Sequence, residues 1–340
     1  MKRVLIVCMV GAFLVFSTVI PTSATDSLPT IKWKFAEPAF PKGSDRMNSC
    51  ERIAKAVSER TGGKFTLSLF GPELGDWVEV DEMVMRGAMD MTLNSMPATY
   101  DPRWNIVFCP YIVATYEEAG KAYGPGGFLN EMFREWAQDS DMVWLGTWIQ
   151  GFSGVSLSTR PAATPEEAEG IKIRVPPIAA FECYWKALGF TPVLIPYSEV
   201  PTAISTKMVD GQAGGGPFQT WSCCRDLNKY FVWYRDFMDP CGYTANVDSW
   251  NALPPEYKKI LEEEVTREVR KRFTDAEQWD RNYIEKLEKE HGFVVVDLAE
   301  DPEKLAAARD AARSCWKVMD DLVGKLWMDK IRKHLGMPIK

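Results

Sequence analysis

The chain has 340 residues, of which 46% are hydrophobic and 26% charged, and 47 acidic against 40 basic residues give a formal net charge of −7. That length suits about two domains with ordinary cores, and the composition excludes a disordered or low-complexity chain. An acidic chain without a basic run argues against nucleic-acid binding, and two histidines, His291 and His334, argue against a histidine triad or a multi-histidine metal site.

The N-terminus reads as a targeting segment. Lys2 and Arg3 precede an uncharged apolar run from Val4 to Ile20, followed by Pro21 and the small residues Thr22, Ser23 and Ala24. This is the pattern of a secretory signal peptide over residues 1–24. A membrane anchor is the competing reading, but no positive stop-transfer cluster follows, only Asp26. Export makes the cysteines informative. Seven remain beyond residue 24: Cys50, Cys109, Cys183, Cys223, Cys224, Cys241 and Cys315. An odd number leaves at least one thiol unpaired, and no C-x-x-C spacing marks a zinc ribbon or a thioredoxin-like site. The adjacent Cys223 and Cys224 could each pair with a distant cysteine, or the set could be free and buried; both readings stand.

The exported part opens with alternating residues at 31–36, as in a strand. A helix is predicted over 45–61, stopped by Gly62-Gly63, then a strand over 65–70, a helix over 77–86 and a strand over 90–93. This βαβαβ rhythm predicts a parallel-sheet α/β domain. A helix over 117–137 and a strand over 142–149 continue it. Strands at 170–175 and 191–195 and helices at 178–188 and 197–208 follow. From Pro254-Pro255 to Gly292 the apolar residues recur at helical spacing. A helix of that span is about 54 Å long at 1.5 Å per residue, longer than one small domain. Its stripe drifts off a heptad, so it is expected to brace two domains rather than form a coiled coil. A strand at 293–296 and two more helices close the chain.

Enzymatic signatures fail on inspection. Gly63-Lys64 has Ser58 where a phosphate loop needs glycine, and Gly151-Phe152-Ser153-Gly154 has Val155 where a nucleophile elbow needs its second glycine. Glu166-Glu167 reads as a solvated helix start. Arg174 stands apart. It ends a predicted strand and is followed by Pro176-Pro177, so it can hold a guanidinium fork at the carboxyl end of a sheet, where ligands gather in open α/β folds.

Residues Gly170-Ile171-Lys172-Ile173-Arg174-Val175-Pro176 resemble the G-(L/M)-K-(I/L)-R-(V/T)-P segment of the DctP family, the extracytoplasmic solute-binding proteins of TRAP transporters. Further words follow in order: Phe70 to Gly75, Gly87 to Met91, Arg160-Pro161 through Gly170, Ser198-Glu199-Val200 through Gln212, and Trp250 through Pro254. The resemblance implies two α/β lobes with a hinge, a ligand cleft between them and a long helix spanning both. Lobe I would comprise 25–151 plus 240–279, and lobe II 152–239 plus 280–340. It implies a monomeric periplasmic protein, without cofactor, metal or catalytic residue, that captures an organic acid and passes it to TRAP membrane permease subunits. By position, Arg174 would hold the ligand carboxylate, Tyr197 would pack on the ligand, and Asn94 and Ser95 would line the cleft.

Two positions depart from the family pattern. Where some members carry a second arginine stands Ser153 or Gly154, and where many carry Asn or a bulky residue stand Ala213, Gly214, Gly215 and Gly216. These losses predict a larger cleft. With Trp148, Phe152, Phe218 and Trp221 nearby, the cleft would then favour an aromatic or apolar acid. A sensor subunit for a membrane kinase, or an exported enzyme on the same scaffold, are the alternative functions.

Overall fold

A computed structural model of the protein describes residues 28–339. The segment read as a signal peptide lies outside the described residues. Among the described residues eleven strands form two sheets. The first contains β1 (Ile31–Ala36), β2 (Phe65–Phe70), β3 (Met91–Asn94), β4 (Met142–Ile149) and β10 (Pro240–Asn246), in the order β2-β1-β3-β10-β4. The second contains β5 (Gly154–Leu157), β6 (Lys172–Val175), β7 (Thr191–Leu194), β8 (Gly211–Gly215), β9 (Tyr230–Trp233) and β11 (Val294–Asp297), in the order β11-β9-β5-β8-β6-β7. Each sheet is therefore completed by a strand distant in sequence, β10 in the first and β11 in the second.

The parallel expectation holds for the βαβ units but not throughout. β10 runs antiparallel to both β3 and β4, and β5 runs antiparallel to β8 and β9. β5, β8, β9 and β10 escape the sequence reading. Gly211-Gln212-Ala213-Gly214-Gly215 of β8 has almost no side chains to alternate, and every residue of β10 is buried, which erases a two-residue period.

The helix Asp45–Arg60 starts where Ser44 accepts a hydrogen bond from the Met47 amide, and it stops before Gly62 and Gly63, whose φ values are +59° and +78°. The helix expected over 117–137 is two, Tyr116–Tyr123 and Phe128–Gln138, because Gly124-Pro125-Gly126-Gly127 cannot continue one. The helix expected over 197–208 is a short turn, Tyr197–Glu199, then Val200–Ser205. The closing region has three helical pieces rather than two, Pro302–Arg313, Trp316–Met319 and Lys325–His334. The last of these packs back onto the helices before β4: Trp327 meets Trp136 at 5.1 Å between ring centroids, and His334 stacks on Phe128 at 4.5 Å.

The long helix spans Pro255–His291, 37 residues, and ends on Gly292 at φ +67°. Its first half buries Tyr257, Leu261, Val265 and Val269 with the side chains under the first sheet. Its second half carries Trp279 and Tyr283 to the segment after β8. Ion pairs fasten it to the first helix, Arg52 to Glu268 at 2.8 Å and Arg60 to Glu264 at 2.7 Å. The two segments that pass between the sheets also pair with each other. The Gln150 amide donates to the Asp239 carbonyl and the Ser153 amide to the Phe237 carbonyl, both at 3.0 Å. Among the described residues no helix is long and apolar enough to cross a membrane.

Candidate ligand-binding site

Alternation along β6 decides where Arg174 points. Ile173 and Val175 enter the apolar cluster on one face of the second sheet, so Arg174 between them stands on the other. Its neighbours in register are Val193 on β7 and Gln212 on β8, and Gln212 in turn pairs with Ser156 on β5. Three polar side chains thus cross one sheet face in a row. Arg174 is 5% exposed. Its Nε donates to the Ile195 carbonyl at 2.7 Å, and the Tyr197 ring lies 5.7 Å from the guanidinium. Tyr197 itself is 45% exposed, so the ring offers an open face beside a sheltered cation.

What sets Arg174 apart is the missing acid. The other buried arginines each have one: Arg46 with Glu37 at 2.9 Å, Arg235 with Asp297 at 2.6 Å and Arg272 with Asp45 at 3.1 Å. Among the described residues Arg174 makes no ion pair, and the guanidinium donates no hydrogen bond beyond that of Nε. Burial lowers its pKa to about 10, which still leaves it cationic at neutral pH. A buried charge without a partner is costly unless an anion completes it. Gln212 repeats the theme, since it is 1% exposed and neither of its amide atoms has a partner. Nothing in the sequence flagged Gln212 or Ser156; only the register of three strands separated in sequence aligns them with Arg174.

The first sheet contributes a second polar cluster, around Arg46. This guanidinium reaches the Leu93 carbonyl at 2.6 Å, Glu37 and the Cys241 sulfur at 3.4 Å, and lies over the rings of Phe40 and Trp148. Ser95 joins it through a 3.3 Å contact with the Cys241 sulfur. Asn94 does not, because its amide donates to the Trp77 carbonyl at 2.7 Å and its oxygen accepts from the Ser95 amide. Arg46 went unnoticed in the sequence because a charged residue in a first helical turn reads as solvated. Phe40 and Phe218 bridge the two parts of the molecule, 5.1 Å between ring centroids.

The enlarged cleft expected from the glycines is not what the structure has. A Cβ at Gly154 would run into the Val232 carbonyl and the Trp233 backbone, and one at Gly214, whose φ is +86°, would meet the Phe181 ring. At Gly215 the Gln212 amide occupies the place. The missing side chains are replaced by neighbours, so they leave no extra room. Ser153 is committed to Asp236, donating to its carboxylate at 2.6 Å. The aromatic residues are likewise engaged. Trp148 is buried between the guanidiniums of Arg46 and Arg272, Phe152 is buried against Tyr116, and Phe218 and Trp221 pack on Tyr283 of the long helix. Of the residues singled out from the sequence, the structure brings Arg174 and Tyr197 together and gathers the others elsewhere.

Two lobe-like sheets, connections that cross between them and an unpaired buried arginine at a strand end define a solute-binding protein of the two-lobed α/β type. The family described as bacterial extracellular solute-binding protein, family 7 (DctP), matches residues 35–321, and the chain belongs to it. It is 23% identical over 266 residues to the C4-dicarboxylate-binding protein DctB of Bacillus subtilis, covering 75% of this chain and 73% of that one. It is 25% identical over 228 residues to the sialic acid-binding periplasmic protein SiaP of Vibrio cholerae, covering 66% and 70%. A TRAP periplasmic solute-binding protein from Ochrobactrum anthropi superimposes with a TM-score of 0.82 at 23% identity, covering 91% of this chain and 95% of that one. A second, from Desulfovibrio salexigens with bound orotic acid, gives 0.77 at 20% identity, with 89% and 96% covered. These likenesses establish the two-lobed fold.

Proposed function

We propose that this protein is an extracytoplasmic, non-enzymatic solute receptor that captures a carboxylate-bearing organic acid and delivers it to a TRAP-type membrane permease. The observation that carries the reading is the buried, acid-free guanidinium of Arg174 beside the open face of Tyr197. A ligand carboxylate supplies the missing charge, and the planar fork fixes its orientation through two parallel hydrogen bonds. Family membership supports the permease partner, and the relatives' own ligands, a C4-dicarboxylate and sialic acid, are carboxylates. The segment 1–24 acts as the export signal, and the monomer works in the periplasm. The moving bodies are built on the first sheet, residues 28–151 with 240–279, and on the second, residues 152–239 with 280–313, and the closing helix Lys325–His334 goes with the first through Phe128 and Trp136. Arg174 and Tyr197 hold the acid, while Ser95 and the Arg46 cluster face it from the first lobe.

A thermal-shift screen tests this. Organic acids, from short dicarboxylates to aromatic acids, are compared with their neutral amides. A true ligand at a hundredfold excess over Kd stabilises by about 2.7 kcal/mol, and its amide does not. A panel in which amides and acids shift Tm equally would refute carboxylate recognition.

A further inference from the structure

The adjacent cysteines were open to pairing with distant partners. The structure pairs Cys183 with Cys315 and leaves Cys50, Cys109, Cys223, Cys224 and Cys241 as thiols. Cys50, Cys109 and Cys241 are buried, whereas Cys223 and Cys224 lie side by side, and Cys224 donates a hydrogen bond to the Cys223 sulfur at 3.3 Å. They sit in Thr220–Cys224, a single π-type turn whose wider hydrogen-bond ring often marks a functional position. Cys223 is partly open to solvent while Cys224 is buried. Arg174 and Tyr197 are the charged and titratable neighbours that face Cys223 from the other elements. The Cys224 hydrogen bond first, and then Tyr197 and Arg174, hold the Cys223 thiol below the ordinary range, whereas Cys223 and burial raise that of Cys224.

We propose that Cys223 and Cys224 form a redox-active dithiol on the wall of the Arg174 site, with Cys223 as the attacking sulfur and Cys224 as the resolving one. The partner is a low-molecular-weight disulfide. The Cys223 thiolate attacks one of its sulfurs, the external S–S bond breaks, and one small thiolate leaves. Cys224 gives its proton to that leaving group, and its sulfur then attacks Cys223, breaking the mixed disulfide and expelling the second small thiolate, which takes a proton from water. The protein has then lost two protons and two electrons, and the external disulfide has become two thiols. The product is a vicinal disulfide. Its Cα atoms are about 3.8 Å apart across the intervening peptide, closer than the usual range of about 4.4–6.8 Å for disulfides. Such a strained bond is readily reduced again, which suits a reversible site rather than a structural staple. The guanidinium of Arg174 thereby gains a second role, as a nearby positive charge that favours the attacking thiolate.

This inference stands apart from solute capture, because its test uses no solute. The exported protein is reduced under conditions that spare the Cys183–Cys315 disulfide, checked by peptide mapping, freed of reductant and mixed with dithiodipyridine, whose leaving thiol is coloured. The expected result is rapid release of two equivalents and a peptide carrying Cys223 and Cys224 that is two hydrogens short. Cys224→Ser should stop after one equivalent with a stable adduct on Cys223, and Cys223→Ser should remove the fast phase. Arg174→Gln should slow the first release, because the thiolate loses a positive neighbour. Arg174→Lys, which keeps the charge, should restore the rate. A stable single adduct on the wild-type protein would overturn the dithiol. So would an unreactive Cys223, or either cysteine linked to Cys50, Cys109 or Cys241. An unchanged rate in Arg174→Gln would overturn the part given to the arginine.

Discussion

At the scale of single residues, Arg174 is defined by what its neighbours lack. A buried guanidinium with one carbonyl partner destabilises the empty protein and is retained where a ligand uses it. Two consequences follow in opposite directions. Arg174→Ala should abolish measurable binding of the best acid from the screen, and Arg174→Lys should cost about 2–5 kcal/mol in titration calorimetry, because a point charge replaces the fork. Equal affinity in Arg174→Lys would argue against a two-pronged contact. In contrast, Arg174→Met should leave the empty protein with a Tm at or above that of wild type, since removing an unpaired buried charge relieves its desolvation. A marked drop in Tm would instead mean that the arginine is a structural strut. Gly214 makes the complementary case. Its φ of +86° and the adjoining Phe181 ring both exclude a side chain, so Gly214→Ala should destabilise by about 1–3 kcal/mol in urea unfolding. A neutral result would indicate that β8 can shift to make the room the sequence suggested.

The element that organises the molecule is the long helix, and its inward face holds the crossing segment in place. Arg272 donates to the Ile149 and Gln150 carbonyls, both at 2.6 Å, and Asp280, two turns further on, accepts from the Phe152 amide at 3.1 Å and from the Tyr116 hydroxyl at 2.5 Å. The helix therefore grips residues 149–152 through backbone groups, with the Asp280 carboxylate filling the space that a side chain at Gly151 would need. Arg272→Met would strip donors from two buried carbonyls at about 1–3 kcal/mol each, so a loss of about 2–6 kcal/mol is expected by denaturant titration. The acid on the same face predicts a pH dependence. Burial raises the Asp280 pKa to about 7, against an ordinary 3.8. The folded state then holds a proton that the unfolded state has released, so this contribution is complete below about pH 4 and fades as pH rises through about 7. Asp236 and Asp239, both raised by burial to about 6, act with the same sign. Asp280→Asn should flatten the decline of Tm between about pH 4 and 7 that wild type shows. Parallel curves for the two proteins would remove Asp280 as its source.

At the scale of the whole molecule, the proposed function predicts closure of two bodies about the paired crossings between the sheets. The Gln150–Asp239 and Ser153–Phe237 hydrogen bonds hold the two strand connections together as one narrow joint, and Phe40 against Phe218 supplies the contact on the far side of it. Saturating acid should draw the lobes together and lower the radius of gyration in small-angle scattering. Identical profiles with and without acid would count against a trap that closes on its solute.

How much of this was legible in advance follows the range of the interactions involved. Local patterns carried far: the alternation of 31–36, the glycine stop after the first helix and the apolar period of the long helix depend on near neighbours in the chain, and so does the strand-end setting of Arg174 and its family words. Glycine counts were misleading, because whether a missing side chain leaves a hole depends on what lies opposite, and Phe181 and the Val232 carbonyl come from other elements. The aromatic residues near the site were equally ambiguous, since a tryptophan reads the same in a core as in a cleft. The acid-free state of Arg174, the row it makes with Gln212 and Ser156, and its approach to Cys223 and Cys224 all join segments tens of residues apart. Sequence by itself determined the kinds of element and the strand-end position of Arg174. Tertiary structure alone decided which charges stay unpaired, because pairing is settled by distance in space, and the chain order does not encode that distance.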